Sequence, residues 1–194
     1  LAKAETALGA AEQIIDALLN ISKLETDGLS FDIRPVALRE IFDPLRDEMG
    51  LLAERKGLSL RILDSSHVVD SDPSYLRRIV QNLLTNAIRY TDSGRVVVGA
   101  RRNGDSVRIE VWDTGPGIAE EDQNAIFEEF RRLDTTASNN DGLGLGLAIV
   151  ERACARLGHP LGLWSELGRG SCFMLNVPRA RHAQPSLPKV SRNA

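Results

Sequence analysis

Cysteine, aromatic residues and long apolar runs are all scarce in this sequence. Its two cysteines, Cys154 and Cys172, each lie within an apolar stretch, so neither a disulfide framework nor a four-thiolate metal site is available, and we expect two buried thiols. No apolar run approaches the roughly 18 residues of a membrane-spanning helix, and no signal peptide opens the chain. The formal net charge of -3 gives no basic excess, which argues against tight nonspecific binding of nucleic acid. Any site for a polyanion must therefore be local.

The composition is that of a globular protein. Hydrophobic residues make up 42% and charged residues 26% of the 194 residues, which is sufficient for one ordinary domain with an appended element. The chain begins with Leu1, as we expect of a piece of a longer protein whose natural flanks are missing. Membrane attachment of such a parent stays open.

Hydrophobic periodicity divides the chain into helices and strands. Apolar residues recur every three or four positions between Leu1 and Glu25, which predicts a long amphipathic helix that Gly28 ends. Asn103-Gly104 separates two alternating runs and predicts a β-hairpin, while Asp72-Pro73 offers an N-cap and a first helical residue. Further helices are predicted over 38–56 (with Pro44 causing a kink or a late start), 72–90, 122–130 and 143–157, and extended segments or strands over 29–36, 58–62, 68–69, 95–102, 106–113, 161–165 and 171–177.

This order of elements predicts a two-layer α/β sandwich. Because two of the strand pairs are antiparallel, a mixed, mainly antiparallel sheet with helices on one face fits better than a doubly wound fold. We expect a separate helical element over 1–28, the main domain over 29–178, and a disordered tail rich in Arg, Pro, Ser and Ala over 179–194.

Glycine occupies every second position of the run 142–147, Gly-Leu-Gly-Leu-Gly-Leu. The Rossmann and protein-kinase patterns require their third glycine where Leu147 stands, and no Gly-Lys-Ser or Gly-Lys-Thr tripeptide exists for a P-loop. The run nevertheless lies at the start of a predicted helix, where free backbone amides and the helix dipole attract anions. Taken alone, it indicates either a phosphate-binding turn or a flexible hinge.

Asn82 and Asn86 lie one turn apart on the predicted helix 72–90 and therefore share one face. Asn is a poor helix former, so two on one face suggest a function. An amide oxygen can ligate a hard cation such as Mg²⁺, but a neutral ligand needs phosphates to supply the negative charge. Capping or surface amides are the alternative explanation.

Asp113 directly follows a predicted strand and begins the sequence Asp-Thr-Gly-Pro-Gly. A carboxylate at a strand end can accept a hydrogen bond from an exocyclic amine, while neighbouring glycines let the backbone approach a flat ring. An ordinary Asp-Gly turn is the alternative explanation here.

Four segments, taken in order, resemble the N, G1, F and G2 boxes of sensor histidine kinases. They are 75–90 (YLRRIVQNLLTNAIRY), 113–118 (DTGPGI), 126–130 (IFEEF) and 142–149 (GLGLGLAI), and the resemblance extends over about 31–178. It implies a Bergerat fold that binds ATP and Mg²⁺. The helix that ends near Glu25 is similar to the second helix of that family's dimerisation domain, so residues 1–28 are expected to be a remnant of that domain.

The resemblance implies a role for each matching residue. Asn86 matches the Mg²⁺ ligand, Asn82 lines the phosphate side, and Arg89 stands where the family usually has Lys, which keeps the charge but changes its geometry. These three are the expected catalytic residues. Tyr90 matches the aromatic residue that packs on adenine, and Asp113 matches the carboxylate that reads the adenine amino group.

The glycine-rich turns carry the other nucleotide contacts that the resemblance implies. Gly115 and Gly117 let the turn that ends at Ile118 pass the base, and Ser171 corresponds to a small hydroxyl residue near it. The triphosphate is expected to be framed at a helix start by Gly142, Leu143, Gly144, Leu145, Gly146 and Leu147.

The segment 118–141 corresponds to the mobile ATP lid of the family. Arg131 and Arg132 follow the F box within it, and two interpretations stay open for them: contact with the γ-phosphate, or solvated charges on the lid.

The family's phosphoacceptor box, a His followed by an acidic residue and then a Pro, is absent, since His67, His159 and His182 all lie in other contexts. The resemblance therefore implies the catalytic half of a two-component kinase, which transfers the γ-phosphate of Mg-ATP to a histidine outside this chain. Its expected partners are the phosphoacceptor helix of its own dimerisation domain and a response-regulator receiver domain, not nucleic acid. We expect a bacterial cytoplasmic domain, a homodimeric parent, and a monomer or weak dimer for this chain.

Two alternative functions belong to different classes. The resemblance implies a nucleotide fold that also serves ATP-hydrolysing clamps such as gyrase and heat-shock chaperones, and these relatives place a Glu general base where Asn82 stands here. An amide cannot take a proton from water near neutral pH, which disfavours hydrolysis. A catalytically silent ATP sensor is disfavoured because every nucleotide-contacting box is intact.

Overall fold

A computed structural model describes residues 30–131 and 144–180. The predicted helix over 1–25, the tail from Arg181 onward, and the sequence positions Arg132, Gly142 and Leu143 lie outside the described residues. None of the described helices is long and apolar enough to cross a membrane.

The described part of the chain contains seven strands and three α-helices, which are numbered here in chain order. The strands form a five-stranded sheet of order β2-β4-β5-β7-β6 and a two-stranded antiparallel sheet of β1 and β3. In the larger sheet β2 is parallel to β4, and all other neighbours are antiparallel. The elements are β1 (Arg34–Ala37), α1 (Leu38–Arg55), β2 (Ser59–Ile62), β3 (Val68–Ser71), α2 (Pro73–Tyr90), β4 (Arg95–Asn103), β5 (Ser106–Asp113), α3 (Gly146–Leu157), β6 (Leu161–Glu166) and β7 (Gly170–Pro178).

One face of the large sheet forms the core. Val98, Val111 and Phe173 are neighbours in register on adjacent strands, and all three are buried in one cluster with apolar side chains of the helices, such as Leu83 and Ile149. Alternate residues of a strand point to opposite faces, so the intervening positions lie on the other side. The helices therefore cover one face of a mixed, mainly antiparallel sheet, which confirms the predicted two-layer sandwich.

The opposite face of the sheet, which no helix of the described residues covers, is called the open face and carries a pair of tryptophans. Trp112 on β5 and Trp164 on β6 are both register partners of Cys172 on β7, which lies between them. The two indole rings are 5.7 Å apart between centroids, and each side chain remains about 40% exposed. Cys172 is buried beneath them, as Cys154 is in the core, and burial raises the pKa of both thiols to about 12.

The N-terminus of α2 is fixed as the sequence predicts. Asp72 Oδ1 accepts hydrogen bonds from the backbone N–H groups of Ser74 and Tyr75, at 2.9 and 3.1 Å, and Pro73 occupies the first helical position. By contrast, Pro44 lies inside α1, which already begins at Leu38, so a late start of that helix is wrong.

The predicted short helix over 122–130 is wrong. The chain instead forms two single-turn 3₁₀ helices, Glu120–Asp122 and Ala125–Phe127. Only Ile126 is buried in this stretch, and Phe127 packs edge-on against Phe173 with 6.5 Å between ring centroids. Because so few apolar side chains are available, the segment has no face that could support a longer α-helix.

Candidate functional site

Asp113 ends β5 at the edge of the core face. Its Oδ1 accepts hydrogen bonds from the backbone N–H of Gly115 at 2.8 Å and of Ser171 at 3.2 Å. Burial raises the pKa of the Asp113 carboxyl above its usual 3.8, against the opposing effect of these two hydrogen bonds. Among the described residues both donors bind Oδ1, so Oδ2 is the acceptor left for a ligand.

The turn after Asp113 lies directly against the β6–β7 hairpin, and glycine is required on both sides. Gly117 has a φ of 74°, and a Cβ there would overlap the carbonyl of Glu166. Gly170 has a φ of 102°, and a Cβ there would overlap the carbonyl of Asp113. The sequence predicted close approach of Gly115 and Gly117 to a ligand. In the structure Gly117 contacts the neighbouring hairpin, whereas Gly115 lies against the Asp113 carboxylate and the Tyr90 carbonyl at the end of α2.

Asn82 and Asn86 face the start of α3. A Cβ built on Gly146 would lie 3.3 Å from Asn82 Oδ1 and 3.8 Å from both amide atoms of Asn86. The amide nitrogen of Asn82 donates to the carbonyl of Arg78 at 3.0 Å, which turns Oδ1 towards Gly146. The first turn of α3 has no side-chain cap from its N-cap residue, Leu145. The two amides therefore lie beside backbone N–H groups that the N-cap side chain does not occupy, which is an arrangement that suits an anion.

The described part of the glycine-rich run, which begins at Gly144, leads into the first turn of α3. Gly144 has a φ of 70°, and its carbonyl accepts a hydrogen bond from the backbone N–H of Phe130 at 3.1 Å. Leu145 is buried and Leu147 is half-buried, so both leucines anchor the turn by packing. Arg131 is exposed.

Lys56 holds the C-terminal end of α2, and the sequence analysis missed it. Its ammonium donates to the carbonyls of Ile88, at 3.0 Å, and Arg89, and lies 3.7 Å from the carboxylate of Asp92. A cation at these carbonyls also interacts favourably with the negative end of the helix dipole. Lys56 thereby fixes the backbone from which Arg89 and the half-buried Tyr90 extend. The available signal was a Lys directly before the helix-ending Gly57.

Ser165 on β6 is a second residue that the sequence analysis missed. Its hydroxyl accepts a hydrogen bond from the backbone N–H of Ile118 at 2.8 Å. The same hydroxyl lies 3.1 Å from the carbonyl of Gly170 and 2.9 Å from the hydroxyl of Ser171. Three of the predicted site residues, Asp113, Ile118 and Ser171, are therefore joined at one end of the sheet.

His159 is a core residue. It is 3% exposed, and its Nε2 lies 2.9 Å from the hydroxyl of Ser71. Burial lowers the pKa of this imidazole below its usual 6.5. It follows the C-terminal end of α3, whereas Asn82 and Asn86 lie beside the first turn of that helix, and its burial assigns it to packing.

The candidate ligand for a magnesium ion is a neutral amide, that of Asn86. Among the described residues no group of three His, Cys, Asp or Glu side chains could hold a metal ion. The amide of Asn86 beside the start of α3 is suited to Mg²⁺ that arrives with a polyphosphate, because the phosphates supply the charge that the amide lacks.

Comparison with protein families matches residues 71–181 to the histidine kinase-, DNA gyrase B-, and HSP90-like ATPases. Among curated relatives, the sensor histidine kinase RcsC of Escherichia coli K12 is 34% identical over 86% of this chain and 18% of that protein. The circadian input-output histidine kinase CikA of Synechococcus elongatus is 31% identical over 92% of this chain and 24% of that protein. The chain thus spans about a fifth of the length of these relatives.

Solved structures similar to this chain include histidine kinases. The crystal structure of full-length ShkA in complex with AMPPNP matches with a TM-score of 0.77 and 30% identity, over 87% of this chain and 35% of that one. The mycobacterial sensor histidine kinase MprB matches with a TM-score of 0.66 and 27% identity, over 75% of this chain and 98% of that one. These neighbours confirm the Bergerat fold that the four boxes predicted. By its matched residues and its fold, the chain belongs to the family of histidine kinase-, DNA gyrase B-, and HSP90-like ATPases.

Proposed function

We propose that this chain binds Mg-ATP between α2, the turn after β5 and the start of α3, and that it is the catalytic portion of a sensor histidine kinase. One juxtaposition carries the proposal. Asp113, a carboxylate with an acceptor oxygen left for a ligand, begins the turn that meets the C-terminal end of α2, where a Cβ on Gly115 would lie 3.0 Å from the Tyr90 carbonyl. Two amides of the same helix, those of Asn82 and Asn86, lie against the start of α3. A purine base with an exocyclic amine and a polyphosphate have the matching chemistry.

At the base end, Asp113 Oδ2 accepts from the amino group of adenine. Gly115, Gly117 and Ile118 form the wall of this end, and Tyr90 packs on the base. Ser171 lies beside Asp113 because its backbone N–H donates to the Asp113 carboxylate. Guanine presents an oxygen where adenine has its amine, so two acceptors would face each other, and adenine is the preferred base.

At the phosphate end, the backbone N–H groups at the start of α3 bind the triphosphate within the run Gly142, Leu143, Gly144, Leu145, Gly146 and Leu147. Asn82 lines this side and Arg89 adds a positive charge. Asn86 would hold Mg²⁺ through its amide oxygen. The ion, when bound, supplies neutralisation of the charge that develops on the γ-phosphate.

The chain's residues support phosphoryl transfer to a histidine rather than to water. Asn82 offers an amide, which cannot act as a general base near neutral pH. What remains is positioning: the chain orients the γ-phosphate, and the nucleophile arrives on another segment. The two curated relatives described above are both named as histidine kinases.

The proposed acceptor is the phosphoacceptor helix of the dimerisation domain in the parent protein, and the proposed onward partner is a response-regulator receiver domain. A homodimeric parent and a bacterial cytoplasmic position belong to the same proposal.

The test supplies the missing nucleophile. The chain is incubated with γ-labelled Mg-ATP, alone and with a dimerisation domain that contains a phosphoacceptor histidine. We expect acid-labile label on the supplied domain, none on the chain itself, and negligible phosphate release. Asn86→Ala should abolish the transfer, and Asn103→Ala, which removes an amide from the far end of β4, should not. Brisk phosphate release without an acceptor would favour the hydrolase, and ATP binding with neither reaction would favour a silent sensor.

A further inference from the structure

The hydroxyl of Ser165 occupies a junction between two parts of the site. One part is the base end, where Asp113 and Ser171 meet. The other is the lid segment, residues 118–131 of the described chain, which begins at Ile118. The hydroxyl of Ser165 contacts both, since it accepts from the Ile118 N–H at 2.8 Å and lies 2.9 Å from the Ser171 hydroxyl.

The proton of Ser165 decides what Ser171 can offer a ligand. A hydroxyl has one proton to donate, and the Ser165 oxygen lies within hydrogen-bond distance of two acceptors, the carbonyl of Gly170 at 3.1 Å and the Ser171 hydroxyl. If Ser165 donates to Gly170, Ser171 donates to Ser165 and presents only lone pairs to a base. If Ser165 donates to Ser171, the Ser171 proton becomes available to a ligand. Ser171 thus acts as acceptor or donor according to Ser165.

The backbone of Ile118 is held at both its N–H and its carbonyl. Its N–H is held by Ser165, and its carbonyl accepts from the side-chain amide of Gln123 at 3.2 Å. The same Gln123 amide also donates to the Ser165 carbonyl at 3.3 Å. Side-chain hydrogen bonds of Ser165 and Gln123 therefore fix the first residue of the lid segment to β6, whereas further along the described segment Ile126 is the buried anchor.

From this geometry we infer that Ser165 is a positioning residue that couples the lid segment to recognition of the base. Its hydroxyl fixes the Ile118 end of the lid segment and sets the hydrogen-bonding role of Ser171. The inference rests on the proposed function for its ligand, but the clamp on Ile118 exists without one. Both parts of the inference can be measured separately.

The first measurement is amide exchange in the nucleotide-free protein. Ser165→Ala removes the acceptor for Ile118, so exchange over 118–123 should be about tenfold faster, with the β4–β5 hairpin unchanged. Ser165→Thr keeps the hydroxyl and should restore slow exchange. The matched control is Ser66→Ala, which removes the hydroxyl of an exposed serine outside the site. Exchange over 118–123 that is unchanged in Ser165→Ala would overturn the clamp.

The second measurement is the ratio of ATP to GTP affinity by calorimetric titration with Mg²⁺. Ser165→Ala should weaken ATP binding about five- to tenfold and narrow the ratio, because Ser171 is no longer fixed as donor or acceptor. Gln123→Ala frees the Ile118 carbonyl but keeps the Ser165 hydroxyl, so it should speed exchange at Ile118 and narrow the ratio less than Ser165→Ala does. An unchanged ratio in Ser165→Ala would overturn the role in base recognition.

General destabilisation of the protein would weaken ATP and GTP binding equally and leave the ratio of the two affinities unchanged. A narrowed ratio therefore reports on base recognition rather than on stability. If Ser165→Ala does not fold, Ser165→Cys, with a similar volume and a weak hydrogen-bonding group, takes its place in both measurements. A wild-type chain that binds neither nucleotide would overturn the proposed function, while the exchange experiment would still decide the clamp.

Discussion

Replacement of Asp113 by Asn should stabilise the empty protein and weaken its binding of ATP. Burial raises the pKa of the Asp113 carboxyl, so the folded state disfavours the charged form. The folded state therefore holds its proton more tightly than the unfolded chain, and the free energy of unfolding decreases as pH rises above about 3.8, the usual value for this group. The Asn oxygen can still accept from Gly115 and Ser171, while the cost of burying a charge is removed.

The effect on binding has the opposite sign. The Asn side chain presents its NH₂ group where Asp113 Oδ2 would accept from the adenine amine. Loss of a hydrogen bond to a charged group costs about 1.5–3 kcal/mol, which corresponds to a roughly 10- to 150-fold weaker affinity for ATP. Two donors that face each other add to this loss. Guanine offers an oxygen at the same place, so GTP binding should suffer less and the preference for ATP should narrow or invert. Asp113→Ala should also weaken ATP binding and narrow the preference.

Calorimetric titration with Mg-ATP and Mg-GTP measures both affinities, and thermal unfolding between pH 5 and pH 8 measures stability. Asp47→Asn, which neutralises an exposed carboxylate on α1, is the matched control and should change neither affinity. Wild-type ATP affinity in Asp113→Asn, or an unchanged ATP-to-GTP ratio, would refute the assignment of this carboxylate to base recognition. A melting temperature of Asp113→Asn below that of the wild-type chain at pH 8 would refute the argument that burial of the charged carboxylate destabilises the folded state.

Three further outcomes are expected. Mg²⁺ alone should show no saturable binding by calorimetry, because Asn86 is neutral, and Asn86→Ala should remove the Mg²⁺-dependent part of the ATP affinity. Without nucleotide, the backbone amides of the lid segment should exchange faster than those of the β4–β5 hairpin. Phe127→Ala should speed exchange in the lid segment further, because it removes the contact with Phe173. Equal exchange rates in the segment and the hairpin would contradict the expected mobility of the lid segment. Because burial lowers the pKa of His159, its contribution to stability is present above about pH 6.5 and is lost as pH falls, so the melting temperature of His159→Gln should vary less between pH 7 and pH 5, with ATP affinity unchanged.

Local chemistry made parts of the fold predictable. Asn103-Gly104 predicted the central hairpin, and Asn103 pairs with Ser106 across a turn in which Gly104 has a φ of 61°. Asp72 predicted the start of α2 because a carboxylate can cap a helix whatever lies elsewhere in the chain. Such signals involve neighbours in sequence, and tertiary packing did not override them.

Pairings between distant segments left no such signal. The four residues of β2 pair in parallel with β4, although β3 and α2 separate them in the chain, and nothing in the local sequence identifies this partner. The face shared by Asn82 and Asn86 follows from helical periodicity, but its contact with Gly146 depends on how α2 and α3 pack. Nothing in the local sequence distinguishes Ser165 from any other serine in a strand. Its role depends on the packing of the β6–β7 hairpin against Ile118, which is 47 residues away in the chain.

The tryptophan pair on the open face gives the chain an internal optical reporter. Trp112 directly precedes Asp113, and Trp164 directly precedes Ser165. Each tryptophan is therefore the chain neighbour of a residue that lies at the base end. These are the two tryptophans of the whole sequence, and their rings lie 5.7 Å apart. Ultraviolet emission excited at the indole band therefore originates from one pair of rings next to the proposed base end, and we expect it to change when nucleotide binds, without a dye or a label.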